Sequence, residues 1–489
     1  MLSAALQGLQ VEFIDVEADL SNGLPMFHMV GYLSSEVKEA GERVRTAIRN
    51  SGLVLPAKKI VVNLSPADVR KRGTAFDLPI AVAILASLGL VGQERLAKTV
   101  FVGELSLDGR VRSVPGILPI ALEAKKHGFQ ACVVSKENES EGKLVEGIEV
   151  IGVENLKAAC DVLNEGVAAD PTETRTMRDA GEHTYELDYQ DIKGQKLAKR
   201  AAEVAVAGNH NMLMIGPPGA GKTMIAKRIP TILPPLTKEE SMELTKLYSI
   251  VGGLNANRPL ILERPFREVH HTATKSALIG GGLIPRPGEI SLADKGVLFL
   301  DEIAEFQKPV LEMLRQPLEE HFIKIIRNRG VYHFPAEFLL VAAMNPCPCG
   351  NYPNLNKCLC TSTQIQAYLS KISQPLLDRI DICVEAERVA YEDLQGAREE
   401  SSNDIRERVI MARERQKERY KGESITTNSQ LNAEKIKQYC ILGSEEEKMM
   451  RQAFEKLNLT ARMYHKILCV ARTIADLEGE EKIGLAHLR

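Results

Sequence analysis

The sequence predicts an α/β protein with an all-helical C-terminal part, and three observations lead to this fold class. Residues 1–165 alternate short apolar runs typical of strands, such as KKIVVNLSP and ACVVS, with runs of helical period such as SSEVKEAGERVRTAIRNSG. Residues 187–388 alternate in the same way around glycine-rich loops, whereas residues 389–489 carry helical and charged patterns only. Residues 166–186 are polar and lack periodicity, so we predict a linker there.

Composition sets wide limits on the class of protein. The chain has 489 residues, of which 44% are hydrophobic and 26% charged, values that predict two or three globular domains. With a net charge of −3, any contact with nucleic acid must come from a local patch. The start of the chain lacks the basic segment of a signal peptide, and the apolar run from Leu78 is too short to span a bilayer. We therefore expect a cytoplasmic protein, where clustered cysteines bind metal more often than they form disulfides.

The most specific motif lies in NMLMIGPPGAGKTMIAKRIP, where an apolar run leads into a glycine-rich loop and then a helix. The loop matches the phosphate-binding pattern G-x-x-x-x-G-K-[ST] in its strand–loop–helix context. In such a loop backbone N–H groups face phosphate oxygens, the lysine reaches the β- and γ-phosphates, and the threonine ligates Mg²⁺. The predicted nucleotide-binding residues are Gly216, Pro217, Pro218, Gly219, Ala220, Gly221, Lys222 and Thr223.

Two further strands end in polar side chains. In KGVLFLDEI an apolar strand ends in Asp301 and Glu302. We expect Asp301 to hold Mg²⁺, directly or through water, and Glu302 to orient or deprotonate an attacking water, which turns nucleotide binding into hydrolysis. EFLLVAAMNP ends in Asn345, which either positions that water or only begins a turn before Pro346.

Together the phosphate loop, FLDE, Asn345 and PLLDRIDI resemble an AAA+ ATPase. Within that class, GEISLADKGVLFLDEI, AAMNPCPCG, QPLLDRIDICVEAE and ARTIADLEG resemble the magnesium-chelatase-like branch, and in it the YifB/ComM family. The resemblance covers nearly the whole chain. It implies ATP as the nucleotide, a Lon-protease-like (ribosomal S5-like) α+β domain in residues 1–165, an AAA+ core in residues 187–388 and a helical lid in residues 389–489.

The resemblance also assigns two arginines that the motifs above do not explain. Arg379 in LLDRID matches the arginine finger that reaches the γ-phosphate of a neighbouring subunit, so it implies a ring, similar to the hexamers of the family. Arg462 in LTARMYHKI matches the second-sensor arginine of the lid, with Arg472 as a competing candidate. Judged by residue type alone, either arginine could instead form a surface ion pair.

The N-terminal segment VFVGELSLDGRVRSVPGILPIALEAKKHGF resembles the Lon protease domain, which uses a serine–lysine pair. The segment matching the nucleophile loop has Thr74 in place of serine, and Ile120 stands roughly where the lysine would be. A hydroxyl nucleophile needs a base within hydrogen-bond reach, so we expect a Lon-like fold without proteolysis. An ATP-dependent protease remains the third of three functional hypotheses.

A basic hairpin is the predicted DNA contact. The segment EEHFIKIIRNRGVYHFPAEF alternates apolar positions around a turn, and we expect Lys324, Arg327 and Arg329 to cluster at its tip. In related ring ATPases the matching hairpin points into the central channel, where six copies would face a phosphate backbone without reading bases. The loop LIGGGLIPRPGEISL, with Arg286, has the composition of a second channel loop. Ordinary surface charge is the alternative for both segments.

Four cysteines lie in NPCPCGNYPNLNKCLC, with the spacing C-x-C, eight residues, C-x-C. Four thiolates suit a structural tetrahedral Zn²⁺ site with no open position, although the spacing departs from the common C-x₂-C knuckle. Unligated thiols and an iron–sulfur cluster are the alternatives. Since the cluster lies between Asn345 and Arg379, we expect it to brace the loop that joins them. The predicted ligands are Cys347, Cys349, Cys358 and Cys360.

Two functional hypotheses precede the protease. Family resemblance favours an ATP-driven hexameric motor on single-stranded or branched DNA, acting in branch migration or unwinding during recombination or the uptake of transforming DNA. The alternative is a chelatase-type motor that remodels a protein partner. His270 and His271 could be metal ligands, but adjacent histidines usually point apart and no nearby carboxylate or cysteine in the sequence completes a set, so a structural or ring-interface role is favoured.

Overall fold

A seven-stranded mixed sheet organises the N-terminal part of the computed structural model, which describes residues 1–165, 185–327, 330–389, 391 and 399–489. The strand order is β3-β4-β2-β1-β5-β8-β9, and a small ribbon, β6–β7, lies beside it. The strands are β1 Leu2–Gln7, β2 Gln10–Ser21, β3 Met26–Val30, β4 Lys59–Ser65, β5 Thr99–Phe101, β6 Glu104–Leu105, β7 Val111–Arg112, β8 Ala131–Ser135 and β9 Glu149–Val153.

Helices cover both faces of this sheet. They are α1 Ser35–Lys38, α2 Ala40–Asn50, α3 Asp77–Ser87, α4 Ile117–Lys126, α5 Glu139–Gly142 and α6 Leu156–Glu165. The apolar run from Leu78 forms the buried helix α3, as predicted. Asp77 at its start is also buried, and its carboxylate accepts hydrogen bonds from Arg43 Nε at 2.8 Å and Nη2 at 2.9 Å. A buried charge needs such a partner, so this pair fixes α2 against α3.

A five-stranded parallel sheet follows, in the order β11-β12-β15-β10-β16. Its strands are β10 Met212–Ile215, β11 Phe266–Val269, β12 Val297–Leu300, β15 Leu339–Met344 and β16 Ile382–Glu385. In β10, Met212 and Met214 join one hydrophobic core and Leu213 joins the core on the opposite face. Both faces are therefore covered, which explains why these strands read as continuous apolar runs. The carboxyl ends of all five strands meet at one edge.

Helices and a hairpin surround this second sheet. The helices are α7 Lys196–Gly208, α8 Lys222–Ile232, α9 Lys238–Val251, α10 Lys275–Ile279, α11 Glu289–Leu292, α12 Lys308–Leu311, α13 Arg315–Glu320, α14 Ser362–Leu369 and α15 Gln374–Leu377. The predicted hairpin consists of β13 Phe322–Arg327 and β14 Gly330–Pro335. Ile323 and Ile325 of β13 are buried in the core of the sheet, which anchors the hairpin on one side.

The C-terminal part is helical, with α16 Ser402–Arg419, α17 Ala433–Tyr439, α18 Ser444–Lys456 and α19 Ala461–Glu478. Helix α16 reads as a charged, solvated helix in sequence, yet Ile405, Val409 and Ala412 pack into the same core as the second sheet. Helix α16 therefore packs against the second sheet and is not part of a separate helical lid alone. Within the described ranges, none of the helices is long and apolar enough to cross a membrane.

The two sheets are joined through helix α9. Ser249 Oγ donates to the buried Glu141 carboxylate at 2.5 Å, and Gly116 N donates to Ser249 O at 3.0 Å. Burial raises the pKa of Glu141. The predicted linker, 166–186, lies outside the described residues except for its last two positions, and the domain boundaries stay predictions. The α/β fold class with a parallel sheet and a helical C-terminal part is confirmed.

Candidate nucleotide site and cysteine cluster

The glycine-rich loop follows β10 directly and ends at the first residue of α8. Gly216 lies so close to the main chain beyond β16 that a Cβ atom would come within 2.1 Å of the Ala386 carbonyl oxygen. Gly219 and Gly221 adopt left-handed φ values of +77° and +83°. Glycine adopts these conformations without steric strain because it has no Cβ atom. They turn the loop around the N-terminus of α8, where backbone N–H groups attract phosphate.

Lys222 lies buried at the mouth of this loop. Its ammonium donates to Gly216 O at 2.6 Å, Pro217 O at 3.0 Å and Asn345 Oδ1 at 3.2 Å. Burial lowers the pKa of Lys222, while the nearby Asp301 and Glu302 carboxylates oppose that shift. The lysine is thus held between the loop and the strand end that carries Asn345, the strand between β10 and β12.

Two magnesium-type ligands meet in the same place. Thr223 Oγ1 donates to Asp301 Oδ2 at 2.8 Å, and the other Asp301 oxygen accepts from Glu302 N at 2.9 Å. A hydroxyl and a carboxylate oxygen from separate elements are a donor set that Mg²⁺ accepts beside phosphates. The residues present therefore fit Mg²⁺–nucleotide.

Glu302 has an unusual backbone and a partner that the sequence did not predict. Its φ is +50°, a left-handed value that is costly for a side chain bearing a Cβ and that is found at functional sites. His271 Nδ1 lies 3.8 Å from Glu302 Oε2, and the ring of His270 packs against that of His271 at a tilt of 35°, with centroids 4.1 Å apart. The sequence signal for this contact is FREV, which comes directly before the two histidines. It forms β11, the neighbour of β12, and so brings the histidines close to Glu302 at the end of β12.

The four cysteines of the predicted cluster come together. All four Sγ atoms lie within 4.8 Å of one another, and the three pairs among Cys347, Cys349 and Cys358 are 3.5, 3.6 and 3.8 Å apart. A tetrahedron with Zn–S bonds of about 2.3 Å has sulfur–sulfur edges of roughly 3.8 Å, so the geometry fits zinc. Tyr352 N donates to Cys347 Sγ at 3.4 Å, a contact that orients this sulfur within the cluster.

The cysteine loop lies against the phosphate loop, a contact that the sequence did not predict. A Cβ on Gly350 would be 2.5 Å from Pro218 Cδ, and Gly350 has a φ of +75°. The loop also presents Leu355 and Leu359 to solvent, 80% and 90% exposed. Beyond the expected link between Asn345 and Arg379, the cluster therefore supports the nucleotide loop of its own chain.

The two predicted arginines lie at the opposite edge of the sheet. Arg379 stands just before β16, where Asp381 N donates to Asn211 O at the beginning of β10. Arg379 forms an ion pair with Glu319, and Arg462 Nη2 lies 3.9 Å from the same Glu319 oxygen. Both arginines are thus far from the nucleotide loop of their own chain.

The competing lid candidate, Arg472, has a structural environment. It is 1% exposed, and its Nη2 lies 3.1 Å from Asp476 Oδ1. Its Nη1 also donates to Glu481 O at 2.6 Å. These contacts hold Arg472 inside the helical part, away from any surface that a nucleotide could reach.

The hairpin differs in part from expectation. Lys324 pairs with His333 in mid-strand, so it does not lie at the tip, whereas Arg327 pairs with Gly330 beside the turn. Arg329 lies outside the described residues. Arg327 Nε donates to Gly282 O at 3.4 Å, which brings the hairpin end to the loop in which Gly281 bridges to the exposed Arg286. The two predicted channel segments are therefore neighbours.

In the Lon-like part, the two positions matched to the dyad have other contacts, and the absence of proteolysis stays a prediction. The Thr74 hydroxyl donates to the Glu104 carboxylate, and Ile120 is buried in an apolar core. The position matched to the lysine is therefore apolar, and the hydroxyl faces an acid.

Comparison with known proteins covers most of the chain. The family described as magnesium chelatase, subunit ChlI matches residues 188–394; related ChlI families match residues 16–138 and, as a C-terminal family, residues 399–489. Competence protein ComM of Haemophilus influenzae is 43% identical over 99% of this chain and 95% of its own length. YifB of Escherichia coli is 42% identical over 99% and 94%. Lon protease 2 of Bacillus subtilis is 27% identical over 29% of this chain and 25% of its own length.

The contact between Gly350 and Pro218 predicts that Gly350→Ala weakens nucleotide binding. The added Cβ would push on the phosphate loop, and overpacking of this kind costs about 1–3 kcal/mol, or roughly tenfold in affinity. Gly422→Ala is the matched control, because its φ of +86° imposes the same backbone strain with nothing within 4 Å. Titration with a fluorescent ADP analogue and Mg²⁺ measures both. Equal affinities for the two variants would contradict the contact.

The cysteine geometry predicts that Cys358→Ser loses bound zinc and lowers ring assembly or ATPase rate, because three thiolates leave the site incomplete. Elemental analysis should find about one zinc per wild-type chain, as for a closed structural site. Cys383→Ser, which removes an exposed cysteine outside the cluster, should keep it. Normal zinc content in Cys358→Ser, or iron in the wild type, would reject the assignment.

Proposed function

The chain belongs to the YifB/ComM family of magnesium-chelatase-like AAA+ ATPases, and from this we propose that it is an ATP-driven ring motor acting on DNA. Membership implies ATPase activity. The observation that carries the proposal is the convergence of Lys222, Thr223, Asp301, Glu302 and Asn345 at one edge of the parallel sheet.

The roles of these residues follow from their chemistry. Lys222 and the N–H groups of residues 216–223 would hold the phosphates, and Thr223 with Asp301 would hold Mg²⁺, which neutralises phosphate charge when it is bound. Glu302 would accept the proton of the attacking water, and the His271 ring lies beside its carboxylate, with Nδ1 3.8 Å from Oε2. Asn345, which contacts Lys222, would position that water between the two strand ends.

The ring is proposed from the position of Arg379. Because Arg379 and Arg462 lie at the edge opposite their own nucleotide loop, they can serve a nucleotide only on another copy of the chain. A heterologous contact of this kind closes into a ring, and the resemblance favours a hexamer. A trans arginine of this type can contribute ~10³–10⁵ in rate.

DNA is proposed as the substrate on two grounds. A relative that matches over the whole chain is named a competence protein, which supports work on incoming DNA during transformation, with branch migration or unwinding as the activity. The adjacent hairpin and loop bring Lys324, Arg327 and Arg286 to one region, and such charges bind a phosphate backbone without sequence preference. Arg329 stays a predicted member of this set.

A chelatase-type motor is the second candidate, because the matching families carry the name of a magnesium chelatase subunit. In that case a protein partner would stimulate ATP hydrolysis and DNA would not. The Lon-like part, whose matched dyad positions are Thr74 and Ile120, gives a protease little support.

The proposed motor is tested by its ATPase rate with single-stranded, duplex and four-way-junction DNA. We expect DNA to raise the rate severalfold and Glu302→Gln to abolish it, since the amide cannot accept the proton from water. Fluorescent-nucleotide binding by Glu302→Gln provides the control, because the phosphate loop is unchanged. If DNA of every form leaves the ATPase rate unchanged and the protein does not drive migration of the junction, the DNA motor is excluded and the chelatase-type motor is favoured.

The hairpin is tested separately. Lys324→Ala with Arg327→Ala should lose most of the stimulation by DNA and keep the basal rate, because neither residue lies in the nucleotide site. Lys238→Ala with Lys421→Ala removes the same charge from exposed positions, 68% and 79% exposed, and should behave as wild type. Equal stimulation of both double variants would exclude the hairpin as the DNA contact. The slope of log DNA affinity against log salt concentration should also become shallower by about two, roughly one for each phosphate contact that is lost.

A further inference from the structure

Glu319, at the end of α13, is the shared partner of Arg379, the predicted arginine finger, and Arg462, the predicted second-sensor arginine. One of its carboxylate oxygens, Oε1, pairs with Arg379 Nη2 and lies 3.9 Å from Arg462 Nη2. The arginines come from distant parts of the chain, one before β16 and one at the start of α19. A single carboxylate therefore brings them side by side.

The exposure of the three side chains shows how the group is arranged. The Arg379 side chain is 8% exposed, and its Nη1 donates to Pro375 O, so its guanidinium is held at two points. The side chains of Glu319 and Arg462 are 51% and 50% exposed. Half-exposed ion pairs add little to stability, so the significance of this one lies in orientation.

The charges favour an incoming phosphate. The two guanidinium groups and the Glu319 carboxylate leave a local net charge of +1, whereas the charge of the nearby Lys466 on α19 is balanced by Asp381, whose Oδ1 lies 3.6 Å from the lysine Nζ. A cavity of about 430 Å³ opens beside these groups, between the sheet and the helical part, and Glu319, Arg379, Arg462 and Lys466 line it. The lining also includes Asp378 and Asp381, so its acidic side chains equal its lysine and arginine side chains in number, and the excess of positive charge is confined to the two guanidinium groups beside Glu319.

We propose that Glu319 is the positioning residue for ATP hydrolysis between subunits: it holds Arg379 and Arg462 together, facing the nucleotide of the neighbouring copy. The inference rests on the proposed ring with Arg379 acting in trans. A free arginine side chain samples many rotamers, and the carboxylate restricts them before the neighbour arrives. The phosphate then finds two oriented guanidinium groups, which is the condition for strong transition-state stabilisation.

The test compares Glu319→Gln and Glu319→Ala with Glu320→Ala in the full-length protein. Glu320 is the adjacent exposed acid, and its carboxylate accepts from Gln316 Nε2 at 2.6 Å. We expect both Glu319 variants to lower kcat about tenfold, a fraction of the ~10³–10⁵ that such an arginine contributes. KM should stay within about twofold, because the nucleotide loop of each subunit is intact. Glu319→Asp should restore part of kcat, and Glu320→Ala should match the wild type.

The Arg379→Ala background shows whether Glu319 acts through the arginine. In that background Glu319→Gln should lower kcat no further, because the residue it orients is gone. If Glu319→Gln leaves kcat unchanged, or lowers it equally with and without Arg379, the inference is overturned. Light scattering at the assay concentration checks that the isosteric Gln variant assembles as the wild type does; a Gln variant that does not assemble would make Glu319 an assembly residue and also overturn it. If Arg379→Ala itself leaves kcat unchanged, the trans arginine fails instead.

Discussion

Burial of the parallel sheet on both faces is the constraint on which the rest of this structure depends. The β10, β12 and β15 strands alternate between two hydrophobic cores, so polar side chains are admissible only where a strand ends. The phosphate loop, Asp301 and Asn345 all occur there. The contacts from Lys222 to Asn345 and from Thr223 to Asp301 follow, because parallel strands bring their carboxyl ends to the same edge.

The same constraint separates the two halves of the proposed catalytic unit. The segment before β16 places Arg379 at the amino-terminal edge of the sheet, near the beginning of β10, whereas the phosphate loop follows the carboxyl end of β10. Arg379 lies at the edge opposite its own nucleotide loop, so the proposed ring would bring the two halves together across subunits. Glu319 lies at this far edge, three residues before β13, so the proposed DNA hairpin and the carboxylate that pairs with the arginines share one short segment.

The sequence predicts the motifs that are continuous along the chain, and it does not predict contacts between segments that the sheet brings together. The phosphate loop and FLDE were predictable because each is continuous in sequence and its strand is a pure apolar run. The cysteines were predictable because C-x-C pairs of one residue type are rare by chance. The contacts of His271 with Glu302, Gly350 with Pro218 and Glu319 with Arg379 were not, because each joins segments whose neighbourhood depends on strand order. The packing of α16 against the second sheet was not predictable either, because its few apolar residues are diluted by charge, although Ile405, Val409 and Ala412 suffice to bury one face.

The closeness of the cysteine loop to the phosphate loop raises an electrostatic question, since Zn²⁺ with four thiolates carries two net negative charges and would repel a bound triphosphate. Local groups offset this charge. Tyr352 N points at Cys347 Sγ, and Arg388, beyond β16, reaches Asn351 within the cysteine loop, Nη2 to Oδ1, at 3.5 Å. Hydrogen bonds to sulfur and a nearby guanidinium both lower the effective charge of such a cluster. A metal brace in this position can therefore stiffen the phosphate loop through Gly350 without opposing the nucleotide that the loop binds.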